Sequence, residues 1–208
     1  LAQLSGLPST DFIVLHNSVG RALAAFSGAD PWPVDRSTPC VRILSVGSLK
    51  SQKDHLSLVR AFRDVAGQVN SALTILGEGP LRGELERECE RLGVRDRVWM
   101  PGFTENVDAW YANSDVFVLT SRYEGFGNVL VEALQHGLRV VSTDCPTGPR
   151  EVLGDSIGRL VPVGDSGRIA KAILEALEAP ADVAQMQARA REFSMERGIA
   201  GYLDLLDA

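Results

Sequence analysis

From Val41 onward the chain switches between short apolar runs and longer segments in which apolar residues recur every three or four positions. Val41 to Val46 precedes Asp54 to Val69, whose apolar positions are Leu58, Val59, Phe62, Val65 and Ala66. Ala72 to Leu76 precedes Leu81 to Leu92, and Val98 to Met100 precedes a shorter segment, Val107 to Ala112. Val116 to Leu119 precedes Asn128 to His136, Arg139 to Ser142 precedes Arg150 to Leu153, and Gly158 to Val161 precedes Ile169 to Leu177. Short β-branched runs at this spacing, each followed by a segment of helical period, predict βα units and a parallel sheet. Crossovers between parallel strands are almost always right-handed, so helices are expected on both faces. The fold class is therefore α/β, a Rossmann-like doubly wound sheet. The last stretch, Ala181 to Leu206, is Ala-rich with scattered charges and reads as wholly helical, with breaks at Gly198 and Gly201.

Composition narrows the possibilities. With 208 residues and 45% hydrophobic content, the chain can bury an ample core, which excludes a disordered tail. A formal charge of −6 argues against a nucleic-acid binder. Cys40, Cys89 and Cys145 lie far apart, with no CxxC and no histidine at metal spacing, which fits free thiols in a reducing compartment. His16, His55 and His136 are isolated, so no zinc site is expected. Trp32, Trp99 and Trp110 read as packing residues. The chain begins at Leu1 with no signal-peptide pattern, and reads as a piece of a longer protein. Residues 1–39 contain a short apolar run, Ile13 to Leu15, and the linker-like Asp30-Pro-Trp-Pro33 and Ser37-Thr-Pro39, so the compact domain is placed at 40–208.

In an open parallel sheet, ligands bind beyond the carboxyl ends of the strands. The first such loop, Gly47-Ser-Leu-Lys-Ser-Gln-Lys53-Asp54, holds two of only three lysines in the chain. Glycine, hydroxyls and compact positive charge at a strand-to-helix turn suit phosphate oxygens, although the loop lacks the Walker A spacing. A solvated helix start capped by Asp54 is the plain alternative. The second loop, Gly77-Glu-Gly-Pro-Leu-Arg-Gly83, misses the dinucleotide fingerprint by one residue and reads as a tight turn. The loop after the fourth strand is the sharpest feature. It runs from Ser121 through Glu124, Gly125, Phe126, Gly127 and Asn128 into a helix whose second turn carries Glu132. Glycines let a ligand approach the main chain, free amides at the helix start favour an anion, and the two carboxylates flank that position. Carboxylates accept hydrogen bonds from vicinal hydroxyls, so a phosphate joined to a polyol would fit. The alternative is a loop surface charge and a solvated helix residue. The fifth loop, Thr143 to Glu151, brings Gly148, Pro149 and Arg150 to another helix start, and Cys145 there reads as a small residue beside a proline turn. The chain has no Gly-x-Ser-x-Gly elbow, which removes the usual serine-hydrolase reading.

Together these loops resemble one family. Glu124-Gly-Phe-Gly-Asn-Val-Leu-Val-Glu132 is similar to the E-x7-E motif of the retaining GT-B glycosyltransferases of family 4, also called group 1. Gly47 to Asp54 resembles the family's Gly-Arg-Leu-x-x-x-Lys element, and Gly77 to Pro80, Val98 to Phe103 and Gly148 to Leu153 follow in the family's order. The resemblance runs from about Ile13 to near Leu206. It implies two Rossmann-like domains facing across a cleft, of which this chain is the carboxyl-terminal, nucleotide-sugar half. Ile13 to Val19 would be the inter-domain crossing segment, and the final helix would return to pack on the amino-terminal half.

By the resemblance, Lys53 would pair with the diphosphate, beside Gly47 and Ser48, and Glu132 would bind the ribose hydroxyls. Glu124 and the main chain of Gly125, Phe126, Gly127, Asn128 and Val129 would hold the sugar and the phosphate. Residues around Trp99 to Phe103, Met100 and Phe103 among them, would line the base pocket, partly through backbone groups. Ser48 stands where arginine is frequent in the family. Lys53 and Glu124 would be the catalytic pair, and no metal or other cofactor is expected, because a lysine and a helix terminus can stabilise the leaving diphosphate. The implied reaction transfers a hexose or N-acetylhexosamine with retention from a nucleoside-diphosphate sugar, UDP-linked, to a glycan or lipid-linked acceptor in bacterial cell-surface polysaccharide synthesis. The expected setting is cytoplasmic, at the inner face of the membrane if the acceptor half carries an anchor. Two alternatives stay open: a nucleotide-sugar binding module without turnover, and a nucleotide-sugar epimerase on the same scaffold. A phosphorylase fits poorly, since only Lys50, Lys53 and Lys171 are present to carry pyridoxal.

Overall fold

A computed structural model describes residues 29–34, 37 and 39–206. Six strands carry the architecture: β1 (Val41–Val46), β2 (Ser71–Leu76), β3 (Val98–Gly102), β4 (Val116–Leu119), β5 (Arg139–Thr143) and β6 (Arg159–Val161). They form one sheet in the order β3-β2-β1-β4-β5-β6, with every pairing parallel. The order reverses between β1 and β4, which opens a crevice at their carboxyl ends.

Side chains that alternate along a strand point to opposite faces of the sheet. Ile43, Leu73, Ile75, Val116, Val118 and Val141 enter one apolar cluster, while Leu44, Ala72, Leu76, Phe117, Leu119 and Val140 enter the other. Both clusters need cover, and the helices supply it. On the first face lie α1 (His55–Ala66), α2 (Arg82–Arg91) and, later in the chain, a helix at Ser166–Glu178. On the second lie α3 (Val107–Ala112), α4 (Asn128–Gln135), α5 (Pro149–Leu153) and a helix at Val183–Arg191. The helices at Ser166–Glu178 and Val183–Arg191 are α6 and α7, and α8 spans Met195–Leu206. The doubly wound expectation holds, and the helix and strand positions read from periodicity agree to within a few residues.

The tail differs from its expectation. Its helices begin at Val183, where the Asp182 carboxylate accepts the Gln185 amide at 2.9 Å, and they break at residues 192–194. Gly198 and Gly201 lie inside α8. The break comes from Phe193, which turns into the core against Phe126, and from Ser194, whose hydroxyl accepts the Arg197 amide and starts the next helix.

The segment ahead of β1 packs on the domain. Trp32 is buried against Trp110, with ring centroids 5.7 Å apart, and the buried Arg42 donates to Asp30 at 2.6 Å and to the Val34 carbonyl. The crossing segment read at Ile13 to Val19 lies outside the described residues. Among the described residues, no helix is long and apolar enough to cross a membrane.

Candidate functional site

Every loop singled out from sequence leaves the carboxyl edge of the sheet, and main-chain contacts bind these loops together. After β1, a 3-10 turn at Ser51–Lys53 hands over to α1 through Asp54, which takes a left-handed conformation with φ 46°. That conformation is uncommon for a residue with a Cβ, and aspartate adopts it more readily than most. Asp54 occupies the cap position of the plain alternative, with the Ser57 amide donating to its carbonyl at 3.0 Å. Its side chain caps nothing and is instead buried, with one carboxylate oxygen 3.1 Å from Arg122.

Four polar contacts seat this turn on the loop after β4. The Arg122 amide donates to the Gln52 carbonyl at 2.8 Å, and Gln52 Nε2 donates to the Tyr123 carbonyl at 2.9 Å. The Thr120 hydroxyl donates to the Lys53 carbonyl at 2.8 Å. Lys53 Nζ then reaches Glu124 Oε1 at 2.6 Å, joining two residues 71 positions apart. The Ser121 hydroxyl donates to the same carboxylate oxygen at 2.5 Å. Both charged side chains are largely shielded, which strengthens the pair relative to one on the surface.

Glu124 stands just before α4. Gly127, with φ 90°, enters that helix, and the Leu130 amide closes on the Gly127 carbonyl. Helical geometry leaves the amides of Asn128 and Val129 without a partner inside the helix, so two N–H groups and the helix dipole lie next to the Lys53–Glu124 pair. The loop after β5 supports this corner from behind. The Thr147 hydroxyl donates to the Glu124 carbonyl, and Gly148, with φ 91°, lies so close to Phe126 that a Cβ would collide with its carbonyl. Phe126 itself faces Phe193 in the core, with centroids 5.4 Å apart, so its main chain is what it can offer a ligand.

A mostly apolar cavity of about 360 Å3 adjoins this corner. Val46, Gly47 and Ser48 line it from the β1 loop, Leu76, Gly77 and Glu78 from the β2 loop, and Phe103, Thr104 and Val107 from the β3 loop and α3. Gly77, at φ 139°, lets the β2 loop press its main chain onto the Gly47 carbonyl. The Lys53 stem runs over Gly47, so the lysine and the cavity share an edge. Phe103 is 78% exposed, an unusual position for a phenylalanine, at the rim. Met100 is not brought to this cavity. It packs on the core of the first face, and its carbonyl accepts from Arg82 at 2.9 Å. A larger cavity, about 690 Å3, lies between α1 and α6 and is lined by none of these loops.

Glu132 sits one turn into α4 and takes a hydrogen bond on Oε2 from the Tyr111 hydroxyl at 3.0 Å. Tyr111 lies four residues after Val107, a wall of the cavity, so one face of α3 touches both. Burial pushes the Cys145 thiol up, and its Sγ contacts the Thr147 carbonyl at 3.7 Å, which suits a structural cysteine. Arg150 is tied to Asp144 and Asp155, so its charge is already answered. His55 is buried next to this turn, and desolvation lowers its pKa to about 4. Among the described residues, no group of three or more His, Cys, Asp or Glu side chains is placed to hold a metal. Sequence reading passed over Thr120 and Tyr111, and gave no role to Ser121 and Gln52 within the loops it singled out. Hydroxyls at the end of β4, and the Val107–Tyr111 spacing of four, were the available signals.

A parallel sheet in this order, with its loops gathered at the switch point, defines a Rossmann-like α/β domain of the kind found in GT-B glycosyltransferases. The family model described as glycosyl transferases group 1 matches residues 36–193, and the chain belongs to that family. It is 31% identical, over 90% of its length, to the lipopolysaccharide core biosynthesis glycosyltransferase LpsD of Rhizobium meliloti, covering 57% of that relative. It is 37% identical, over 65% of its length, to a Campylobacter jejuni N-acetylgalactosaminyltransferase that acts on a diphospho-undecaprenol glycan, covering 37% of it. Among solved structures, the lipopolysaccharide outer core galactosyltransferase WaaB superposes with TM-score 0.82 at 22% identity, over 98% of this chain and 57% of that one. Anabaena HepE in complex with UDP and glucose superposes with TM-score 0.73 at 23% identity, over 80% of this chain and 48% of that one. The chain thus spans little more than half of such relatives at most.

Proposed function

We propose that this chain is the nucleotide-sugar half of a retaining glycosyltransferase. It serves transfer of a hexose or N-acetylhexosamine from a UDP-linked sugar to a glycan or lipid-linked acceptor in cell-surface polysaccharide synthesis. The observation that carries the reading is the meeting of Lys53 and Glu124 at the start of α4, on the edge of an apolar cavity. The base enters the cavity beside Phe103, the ribose hydroxyls bond to Glu132, and the diphosphate lies against Lys53 and the amides of Asn128 and Val129. Glu124 faces the sugar. As the bond from the anomeric carbon to the diphosphate oxygen breaks, negative charge grows on the leaving group. A cation and a helix dipole already in place stabilise that charge with little reorganisation and without a metal. Retention follows when the acceptor hydroxyl, held by a further domain, attacks the face the leaving group vacates and passes its proton to the departing diphosphate oxygen.

Relatives named for UDP complexes and for a diphospho-undecaprenol acceptor support the choice of substrates. Met195, Ile199 and Leu203, exposed at intervals of four on α8, suit a helix that packs on such a domain. Calorimetric titration of the chain with UDP, GDP and ADP in the presence of a chelator tests the reading. UDP is expected to bind and the others at least about tenfold more weakly, a gap of ~1.4 kcal/mol. Failure of all three to bind, or binding of UDP only with magnesium restored, overturns it. The chain alone is expected to bind without turnover, because it spans only part of its relatives.

A further inference from the structure

Tyr111 is among the largest fully buried side chains of the domain, and the reading above gives it no task. Its ring is held on two sides. Phe117 lies at 5.6 Å between centroids, and His136 stacks on it at 5.2 Å with planes 21° apart. His136 is itself fixed, with Nδ1 2.9 Å from the Glu132 carbonyl, and Val129 offers its carbonyl 3.4 Å from the phenol oxygen. Of the two acceptors within reach of the hydroxyl, Glu132 Oε2 at 3.0 Å is the nearer and the charged one. The contact joins α3 to α4 across 21 residues of sequence.

We propose that Tyr111 is a positioning residue for Glu132: it holds one carboxylate oxygen, so that the other is presented in one rotamer to the ribose hydroxyls of a nucleoside diphosphate. The proposal rests on the assignment of Glu132 to ribose. A free glutamate on a helix samples several rotamers, and a ligand must order it at an entropic cost. A buried phenol that donates to the carboxylate removes that cost before the ligand arrives. Burial, together with the Glu132 charge, holds the Tyr111 pKa well above its usual value, so the phenol remains a donor. Because Val107 on the same helix walls the cavity, the base site and the ribose carboxylate are referenced to one rigid element.

The test compares UDP with 2′-deoxy-UDP, which keeps the base and the diphosphate but lacks one ribose hydroxyl. The wild-type chain is expected to prefer UDP about tenfold, the scale of one hydrogen bond to a charged group. Tyr111→Phe keeps the ring and removes the hydroxyl. It is expected to weaken UDP about tenfold, to leave 2′-deoxy-UDP nearly unchanged, and so to erase the preference. Equal weakening of both ligands means a structural role only and overturns the proposal, as does unchanged UDP affinity. Glu132→Gln is measured alongside. If it abolishes the preference while Tyr111→Phe does not, the ribose assignment stands and the positioning role fails. If Glu132→Gln has no effect either, the ribose assignment itself fails. Should Tyr111→Phe not fold, 3-fluorotyrosine is incorporated into the wild-type sequence and followed by fluorine NMR. The Tyr111 resonance is expected to shift with UDP and to stay in place with inorganic pyrophosphate. Absence of a shift with UDP overturns the proposal.

Discussion

The Lys53–Glu124 contact makes one substitution especially informative. Lys53→Met removes the charge but keeps an unbranched stem to lie over Gly47, where the lysine methylenes now rest. In the unliganded protein the change strands Glu124, whose side chain is only 7% exposed. Breaking a buried pair by deleting one partner costs roughly 3–5 kcal/mol when the remaining charge has no other partner. Here the Ser121 hydroxyl stays bonded at 2.5 Å, which offsets part of the loss. A destabilisation of about 2 kcal/mol is expected, or a fall in Tm of roughly 4–8 °C for a domain of this size. Affinity for UDP should fall by ~1.5–3 kcal/mol, the range of a hydrogen bond to a charged group, which is about 10- to 150-fold. The two effects separate in the double variant. Adding Glu124→Gln removes the stranded charge, so thermal stability should return most of the way, while UDP affinity stays low. Thermal melts and calorimetry on the three variants decide the matter. UDP bound by Lys53→Met as tightly as by the wild type refutes the diphosphate assignment, and a double variant no more stable than the single one refutes the coupling.

Two further consequences concern the scaffold. Gly148→Ala places a Cβ against the Phe126 carbonyl at φ 91°, so a loss of about 2–3 kcal/mol is expected, with weaker UDP binding as the Glu124 corner shifts. Urea titration and calorimetry check it, and unchanged values would mean that the β5 loop does not brace the site. His55 has a folded pKa of about 4, below the ordinary 6.5, so the unfolded chain binds a proton over a window where the folded one does not. Its contribution is complete above pH 6.5 and is lost as pH falls to about 4, a difference of about 3 kcal/mol at 1.36 kcal/mol per unit. The stability of His55→Leu should therefore fall less steeply than that of the wild type across this window, and parallel curves would count against a buried neutral imidazole.

Much of this protein is legible in its sequence because the relevant physics is local. A β-branched run such as Val116–Leu119 and an apolar stripe such as Leu58, Val59, Phe62 and Val65 each declare their period within a few residues, whatever lies elsewhere in the chain. The Glu124–Glu132 spacing likewise places both carboxylates at the start of one helix without reference to any other element. Local reasoning fails where a neighbour distant in sequence decides. It put breaks at Gly198 and Gly201, whereas Phe193 leaves the helix to pack on Phe126. It offered Asp54 as a helix cap among its alternatives, and Asp54 holds that position, but its side chain turns toward Arg122 instead of capping.

The composition and periodicity of the chain determine an α/β sheet with its loops at one edge, since propensity and amphipathic pattern act over one or two turns. Only the tertiary structure decides that β1 pairs with both β2 and β4, because strand order depends on which crossovers can pack together. That choice brings Lys53 to Glu124 and Tyr111 to Glu132, contacts made by side chains whose meeting no stretch of local sequence specifies.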